Sequence, residues 1–190
     1  ALGAARFVLG GGELALQDTQ WTQQAWHSAG RFSGLGVRAV NLNQFASATS
    51  NFDTLRFGGD WDITAGTHWE GHANIKRESG DLLVDAQTGQ QLGLRDLSLA
   101  VGVVKDVLSM QLDASGTRLG DVAAQLELPL SLREGRWTVS NDAPLAGHVS
   151  LHGEDLTWIG PVLHENLQSG GSLSLDADLR GTFGVPRLQG

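Results

Sequence analysis

Apolar and polar residues alternate along most of this chain, and no other feature narrows its possible folds as far. Leu126-Glu127-Leu128-Pro129-Leu130-Ser131-Leu132 sets four leucines on one side of an extended strand. Leu173-Ser174-Leu175-Asp176-Ala177-Asp178-Leu179, Leu108-Ser109-Met110-Gln111-Leu112 and Leu97-Ser98-Leu99-Ala100-Val101 repeat the pattern. Trp61-Asp62-Ile63-Thr64-Ala65 follows it too, and the stretches at 69–75 and 149–152 do so more weakly. A strand turns successive side chains to opposite faces, so each run has one apolar and one polar face. Pro129 cannot donate to a ladder, which predicts an edge or a bulge there.

Turn residues separate the runs. Arg77-Glu78-Ser79-Gly80-Asp81, Ala114-Ser115-Gly116-Thr117, Arg133-Glu134-Gly135-Arg136 and Ser140-Asn141-Asp142-Ala143-Pro144 read as turns. Many short strands joined this way predict an all-β chain of roughly ten to thirteen strands. Two stretches break the alternation and predict one or two short helices. One is Val40 to Ala46. The other is Asp155 to Leu167, where Leu156, Ile159, Leu163 and Leu167 share a helical face and Gly170 can close the end. Pro161 within it either opens the helix or kinks it.

Composition removes several function classes. The 190 residues carry a formal charge of -8, whereas nucleic acid calls for a basic face. No apolar run approaches the ~18 residues of a spanning helix. With no cysteine, a disulfide scaffold, a thiolate zinc site and a cysteine nucleophile are excluded. No charged-then-apolar leader opens the sequence, so any signal or anchor is expected outside this segment.

Gly-Gly-x-apolar-x-apolar occurs at Gly11-Gly12, Gly58-Gly59 and Gly170-Gly171, and the last two pairs lie 112 positions apart. With 26 glycines some recurrence is chance, but the pattern predicts one segment of a longer repetitive protein, cut at both ends. Pseudo-repeats would fall at about 1–115 and 116–190. A row of a dozen strands would run ~50–60 Å and leave its apolar side uncovered. It can close as a solenoid, pack on a second sheet, or remain an open trough that carries something apolar.

The tail Leu175-Asp176-Ala177-Asp178-Leu179-Arg180-Gly181-Thr182-Phe183-Gly184-Val185-Pro186-Arg187-Leu188-Gln189-Gly190 resembles the recurrent Leu-x-x-x-Leu-x-Gly-Thr-x-x-x-Pro-x-Leu-x-Gly pattern of the TamB-type family. These are the translocation and assembly module subunits, within the AsmA-like group of periplasmic groove proteins. The match covers about residues 145–190, and includes the apolar stretch from Asp155 before Gly170-Gly171. The resemblance implies an elongated, curled, solenoid-like sheet (a β-taco) with an apolar concave interior. It implies a periplasmic segment of a protein anchored in the inner membrane and reaching the outer membrane. There the full-length protein would meet a TamA-type barrel. It further implies roles in outer-membrane protein assembly, including autotransporter secretion, and in phospholipid transport.

Other motifs are weaker. His68, Glu70 and His72 alternate on one strand and could begin a zinc site, but spacing supplies no further ligand. Gly34-Leu35-Gly36-Val37-Arg38-Ala39 matches a dinucleotide loop without the buried strand such a loop requires. There is no Gly-x-Ser-x-Gly elbow. Asp113, Asp121, Asp176 and Asp178 fall at polar strand positions or turns rather than as a catalytic pair. Trp61 and Trp69 sit at apolar phases, whereas Trp21, Trp26 and Trp137 could instead present flat surfaces to a sugar.

The expectation is therefore a non-enzymatic groove without cofactor or metal, taking lipid acyl chains or nascent outer-membrane β-strands, and no nucleic acid. Its lining would be Leu97, Leu99, Val101, Leu108, Met110, Leu112, Leu126, Leu128, Leu130, Leu132, Leu173, Leu175 and Leu179. Leu128→Arg or Leu175→Glu should block transport and spare the fold. The alternative is a closed β-solenoid or sandwich acting as a surface adhesin or carbohydrate-binding module.

Overall fold

The alternating runs become strands in the computed structural model, which describes residues 3–23, 25–36, 54–85, 89–133, 136–160 and 169–190. The strands are β1 (Ala5–Leu9), β2 (Gly12–Trp21), β3 (Trp26–Gly36), β4 (Arg56–Ala65), β5 (Trp69–Ser79), β6 (Leu83–Asp85), β7 (Gln90–Gln91) and β8 (Leu94–Val104). They continue as β9 (Val107–Gly116), β10 (Gly120–Pro129), β11 (Ser131–Arg133), β12 (Arg136–Thr138), β13 (Ala146–Gly153), β14 (Leu173–Thr182) and β15 (Val185–Gln189). Eleven of them form one antiparallel sheet in the order β1-β2-β3-β4-β5-β8-β9-β10-β13-β14-β15. Each neighbour in space is thus the next large strand along the chain. The pairs β6–β7 and β11–β12 are separate ribbons. The sheet does not close: β1 and β15 are its outer strands, ten spacings or about 48 Å apart measured along the sheet at ~4.8 Å per strand.

Tight turns hold the meander. Gly10 and Gly11 (φ 56° and 88°) make the two-residue turn between β1 and β2. Lys105 and Asp106 take the same left-handed conformation (φ 51° and 63°) between β8 and β9. Both fit the primed turn that matches strand twist, which usually asks for Gly or Asn. The Asp106 turn is held from outside. The carboxylate accepts from the Trp69 backbone N–H at 2.9 Å and meets His68 Nδ1 at 2.8 Å, while the Asp106 carbonyl accepts from Leu130 N–H at 2.7 Å.

Most buried residues gather at the two rims formed by the strand ends, while Ala29 and Ala177 are buried within β3 and β14. At one rim Leu55, Val84, Leu92 and Leu94 cluster, with Phe57, Leu82, Leu119 and Trp158 against them. Asp81 organises this rim. Its carboxylate accepts from the N–H groups of Leu82, Gly93 and Leu94 at 2.7, 2.9 and 3.0 Å. At the opposite rim Val103, Leu128, Ala143 and Leu145 are buried, and Trp69 stacks on Trp137 with ring centroids 6.3 Å apart.

Three local expectations change. The run 126–132 is not one strand. β10 ends at Pro129, Leu130 turns away to the Asp106 carbonyl, and Leu132 pairs with Trp137 in the β11–β12 ribbon. Pro129 makes no bulge: it opposes Val107, past the point where β13 stops pairing at Glu127. Essentially no helix is present among the described residues. Asp155 accepts from the Thr157 N–H at 3.0 Å and hydroxyl at 2.6 Å, a turn follows at 157–158, and Ile159 and Gly160 are helical. Residues 161–168, like the Val40–Ala46 stretch, lie outside the described residues. The Gly-Gly pairs also differ in place: Gly58 and Gly59 lie inside β4, whereas Gly170 and Gly171 precede β14.

Candidate functional site

Strand register assembles the apolar residues into rows that cross the sheet. Ala5, Leu16, Gly30, Trp61, Ala73, Val101, Met110, Leu126, Gly147, Leu179 and Leu188 stand opposite one another in succession across all eleven strands. A second row is Phe7, Leu14, Phe32, Gly59, Ile75, Leu99, Leu112, Ala124, Val149 and Ala177. Neither row contains a polar side chain. Shorter apolar rows flank them, Ile63-Gly71-Val103-Leu108-Leu128 on one side and Leu97-Ala114-Val122-Leu151-Leu175 on the other. Every second residue along a strand faces the same way, so these rows form one apolar field.

Eleven of the thirteen expected lining residues fall on this face. Leu97, Leu99 and Val101 come from β8, Leu108, Met110 and Leu112 from β9, Leu126 and Leu128 from β10, and Leu173, Leu175 and Leu179 from β14. Leu130 and Leu132 do not, because the chain leaves the sheet after Pro129. The structure adds Leu14, Leu16, Phe32, Trp61, Ile75, Val149 and Leu151. Trp61 and the Val149–Leu151 alternation could have nominated themselves. Leu14 and Leu16 could have too, from the motif at Gly11-Gly12; Phe32 could not, since register shifts at Leu16/Asp18 and Phe32/Leu35 change the phase of β3.

Trp61 lies across Gly30 on the neighbouring strand, where a Cβ would come within 2.5 Å of the indole ring. Its N–H donates to Ser28 Oγ at 3.0 Å, and Phe32 lies 6.5 Å away, tilted by 33°. A large ring covering a bare glycine is a way to pin register.

Among the described residues only the β6–β7 and β11–β12 ribbons lie against this face, at its rims; Val103 and Ala177 on it are buried, while Ile75 (36%), Leu175 (37%) and Leu173 (41%) stay partly solvent-accessible. Leu128 differs. It is 3% exposed, so an arginine there would disrupt the rim, contrary to the expectation that Leu128→Arg spares the fold. The face is shallow, with a recess of about 60 Å³ bordered by Ile63, Trp69, Ala73, Val101, Val103 and Leu108.

The larger hollows lie on the polar face. One of about 480 Å³ is bordered by Asp96, Asp113, Asp121, His152 and Asp176, and another of about 420 Å³ by His72, Gln111, Gln125, Glu127 and His148. Histidines there meet aspartates: His27 with Asp62 at 2.9 Å, His72 with Asp60 at 3.0 Å, and His148 with Asp178 at 3.2 Å. Arg180, 2.7 Å from Asp178, holds that carboxyl below its ordinary value, with His148 adding to the effect. His68 is engaged by Asp106 and His72 by Asp60, so His68, Glu70 and His72 do not converge. Among the described residues no group of three or more His, Asp or Glu is placed to hold a metal. Gly34 and Gly36 lie within β3 itself. Gly34 (φ 65°) sits at its register shift and donates its N–H to Glu78 at 2.7 Å. Of the tryptophans, Trp21 alone is largely exposed, at 78%.

No helix among the described residues is long and apolar enough to cross a membrane. No protein-family model, curated protein or solved structure matches the chain.

Proposed function

We propose that this chain is a carrier segment of a TamB-like periplasmic protein, and that its apolar face receives lipid acyl chains or nascent outer-membrane β-strands. The observation that carries this reading is the pair of apolar rows, one crossing all eleven strands and the other ten, partly accessible and with no second large sheet over them among the described residues. Each methylene moved from water onto such a surface gains ~0.8 kcal/mol. A track without polar groups offers no fixed point at which cargo would lodge. In the full-length protein, anchored in the inner membrane and meeting a TamA-type barrel at the outer membrane, the segment would bridge part of the aqueous gap. It would serve phospholipid movement or the assembly and secretion of outer-membrane proteins, autotransporters included. Among the described residues no set of acids, bases and nucleophiles converges to favour an enzyme. The open sheet does not favour the sealed solenoid or sandwich, and one exposed tryptophan does not make a sugar-binding platform.

Photo-crosslinkers at Leu175 and Ile75, in cells, test this directly. Adducts with phospholipid or outer-membrane polypeptide are expected at both positions, and none at the buried Leu128. Adducts confined to this chain at all three would overturn the reading.

A further inference from the structure

Two residues join β8 to β9 and β14 to β15, but the chain between β10 and β13 makes a long excursion from the sheet. Prolines bracket it, Pro129 at the end of β10 and Pro144 shortly before β13. Both limbs are fastened by backbone hydrogen bonds. On the way out, Leu130 N–H donates to the Asp106 carbonyl at 2.7 Å. On the way back, the Asn141 and Ala143 carbonyls accept from Gly184 and Phe183 N–H at 2.8 and 2.9 Å, and Leu145 N–H donates to the Gly181 carbonyl at 3.0 Å.

The β11–β12 ribbon between these limbs is held differently. Leu132 and Trp137 pair on one side of it, and Ser131–Thr138 and Arg133–Arg136 on the other. No hydrogen bond joins the described residues of the ribbon to the sheet; those of Arg133 and Thr138 stay within the excursion. The stack of Trp137 on Trp69 seats it. Leu132, on the same side as Trp137, is 46% exposed, so the apolar side of the ribbon is only half used.

Trp69 is where the ribbon meets the apolar face. It stands opposite Ala65 at the strand ends, beyond the two full rows, so those rows stay free of polar groups. With Ile63, Ala73, Val101, Val103 and Leu108 it borders the recess of about 60 Å³. Its Nε1 is buried and has no hydrogen-bond partner among the described residues, whereas Trp61 on the same face donates to Ser28. A buried donor without an acceptor is costly and uncommon in a folded chain. The recess has room for a short length of hydrocarbon. It has none for a polypeptide strand, which needs ~4.8 Å to a neighbour and ~10 Å to the next layer.

We propose that the β11–β12 ribbon is a strap that lifts from Trp69 to admit one acyl chain into the recess, whose ester carbonyl then accepts from Trp69 Nε1–H. This rests on the carrier reading above, and at this end of the face it selects an ester-linked lipid over a nascent strand. Fastened limbs with a free middle let the ribbon move without unpairing the sheet. The ring stack is given up as the donor gains an acceptor, so opening is tied to the arrival of cargo.

The experiment uses the 190-residue chain and two short-chain phosphatidylcholines below their micelle concentrations, one ester-linked and one ether-linked. The unmodified chain should bind the ester lipid about fivefold more tightly or better, because an ether oxygen is the weaker acceptor. Trp69→Phe keeps a ring beneath Trp137 but removes the donor, and should bring the two affinities together. Trp137→Ala unseats the strap. It should raise both the association and dissociation rates of the ester lipid by about threefold or more, with the strand signal in circular dichroism unchanged. Equal affinities in the unmodified chain, an ester preference that survives Trp69→Phe, or rates indifferent to Trp137→Ala would overturn the proposal and leave the carrier reading standing. Binding of an alternating apolar peptide but of neither lipid would give the face to polypeptide and overturn it too. A chain that binds neither lipid nor peptide would overturn the carrier reading itself, and the strap with it.

Discussion

Gly30 and Trp61 act as one unit, since the ring occupies the space that any side chain at 30 would need. Gly30→Val should destabilise the chain by about 1–3 kcal/mol in urea denaturation. In the Trp61→Ala background the same change should cost less, as expected of residues that share a space. The alternation around Asp60-Trp61-Asp62 places Trp61 on the apolar side. That Gly30 lies opposite depends on the β3–β4 register, which the letters of either strand do not contain. The same is true of His68. In the sequence it is the first of three alternating metal-type residues, while its actual partner, Asp106, is reached only through the β8–β9 turn. The Asp106 hydrogen bond, then its charge, raises the His68 pKa above 6.5; the Trp69 N–H, then His68, lowers that of Asp106 below 3.8. A raised histidine stabilises fully below 6.5 and loses that contribution as pH rises through its folded value. A lowered aspartate stabilises fully above 3.8 and loses it as pH falls through its folded value. The two contributions therefore overlap between 3.8 and 6.5. NMR titration should place the His68 midpoint above 6.5 and return it toward that value in Asp106→Asn.

At the level of single strands, burial separates residues that look alike in the sequence. Leu128 and Leu175 both stand in clean alternating runs on the same face, yet one is closed in a rim and the other open at 37%. Leu128→Ala should cost about 2–5 kcal/mol, the range for a buried leucine. Leu175→Ala should cost about 1–2 kcal/mol, the transfer free energy of a side chain that is only partly hidden, with no closed cavity left behind. Urea midpoints at constant slope decide both. Strands β9, β10 and β14, and β8 from Leu97 on, were legible because each keeps period two. β2 and β3 were not, because extra residues in the ladder reverse their phase part-way along. The break after Pro129 was hidden for another reason. Alternation continues through Leu130 and Leu132, and what diverts the chain is a hydrogen bond to a turn more than twenty residues earlier.

Across the whole molecule, the apolar face is the property most open to test without knowing the cargo. A solvatochromic apolar dye should bind the chain, and Ile75→Glu with Leu175→Glu should weaken that binding several-fold while leaving the strand signal and the urea midpoint nearly unchanged. Loss of the strand signal in that double variant would mean the two positions belong to a sealed interior. The all-β class and the existence of one apolar side were readable from periodicity. That the sheet stays open, with its buried residues drawn to the rims, was not, because closure depends on where the connections pack. The consecutive strand order has a further consequence. Every pair in the large sheet joins strands consecutive among its members, several through two-residue turns, so loop-closure entropy is low for those hairpins and folding can advance from either end. Deleting β14 and β15 should then shorten the array while the remaining nine strands keep their hydrogen-exchange protection, much as a zip fastener loses teeth from one end without opening at the other.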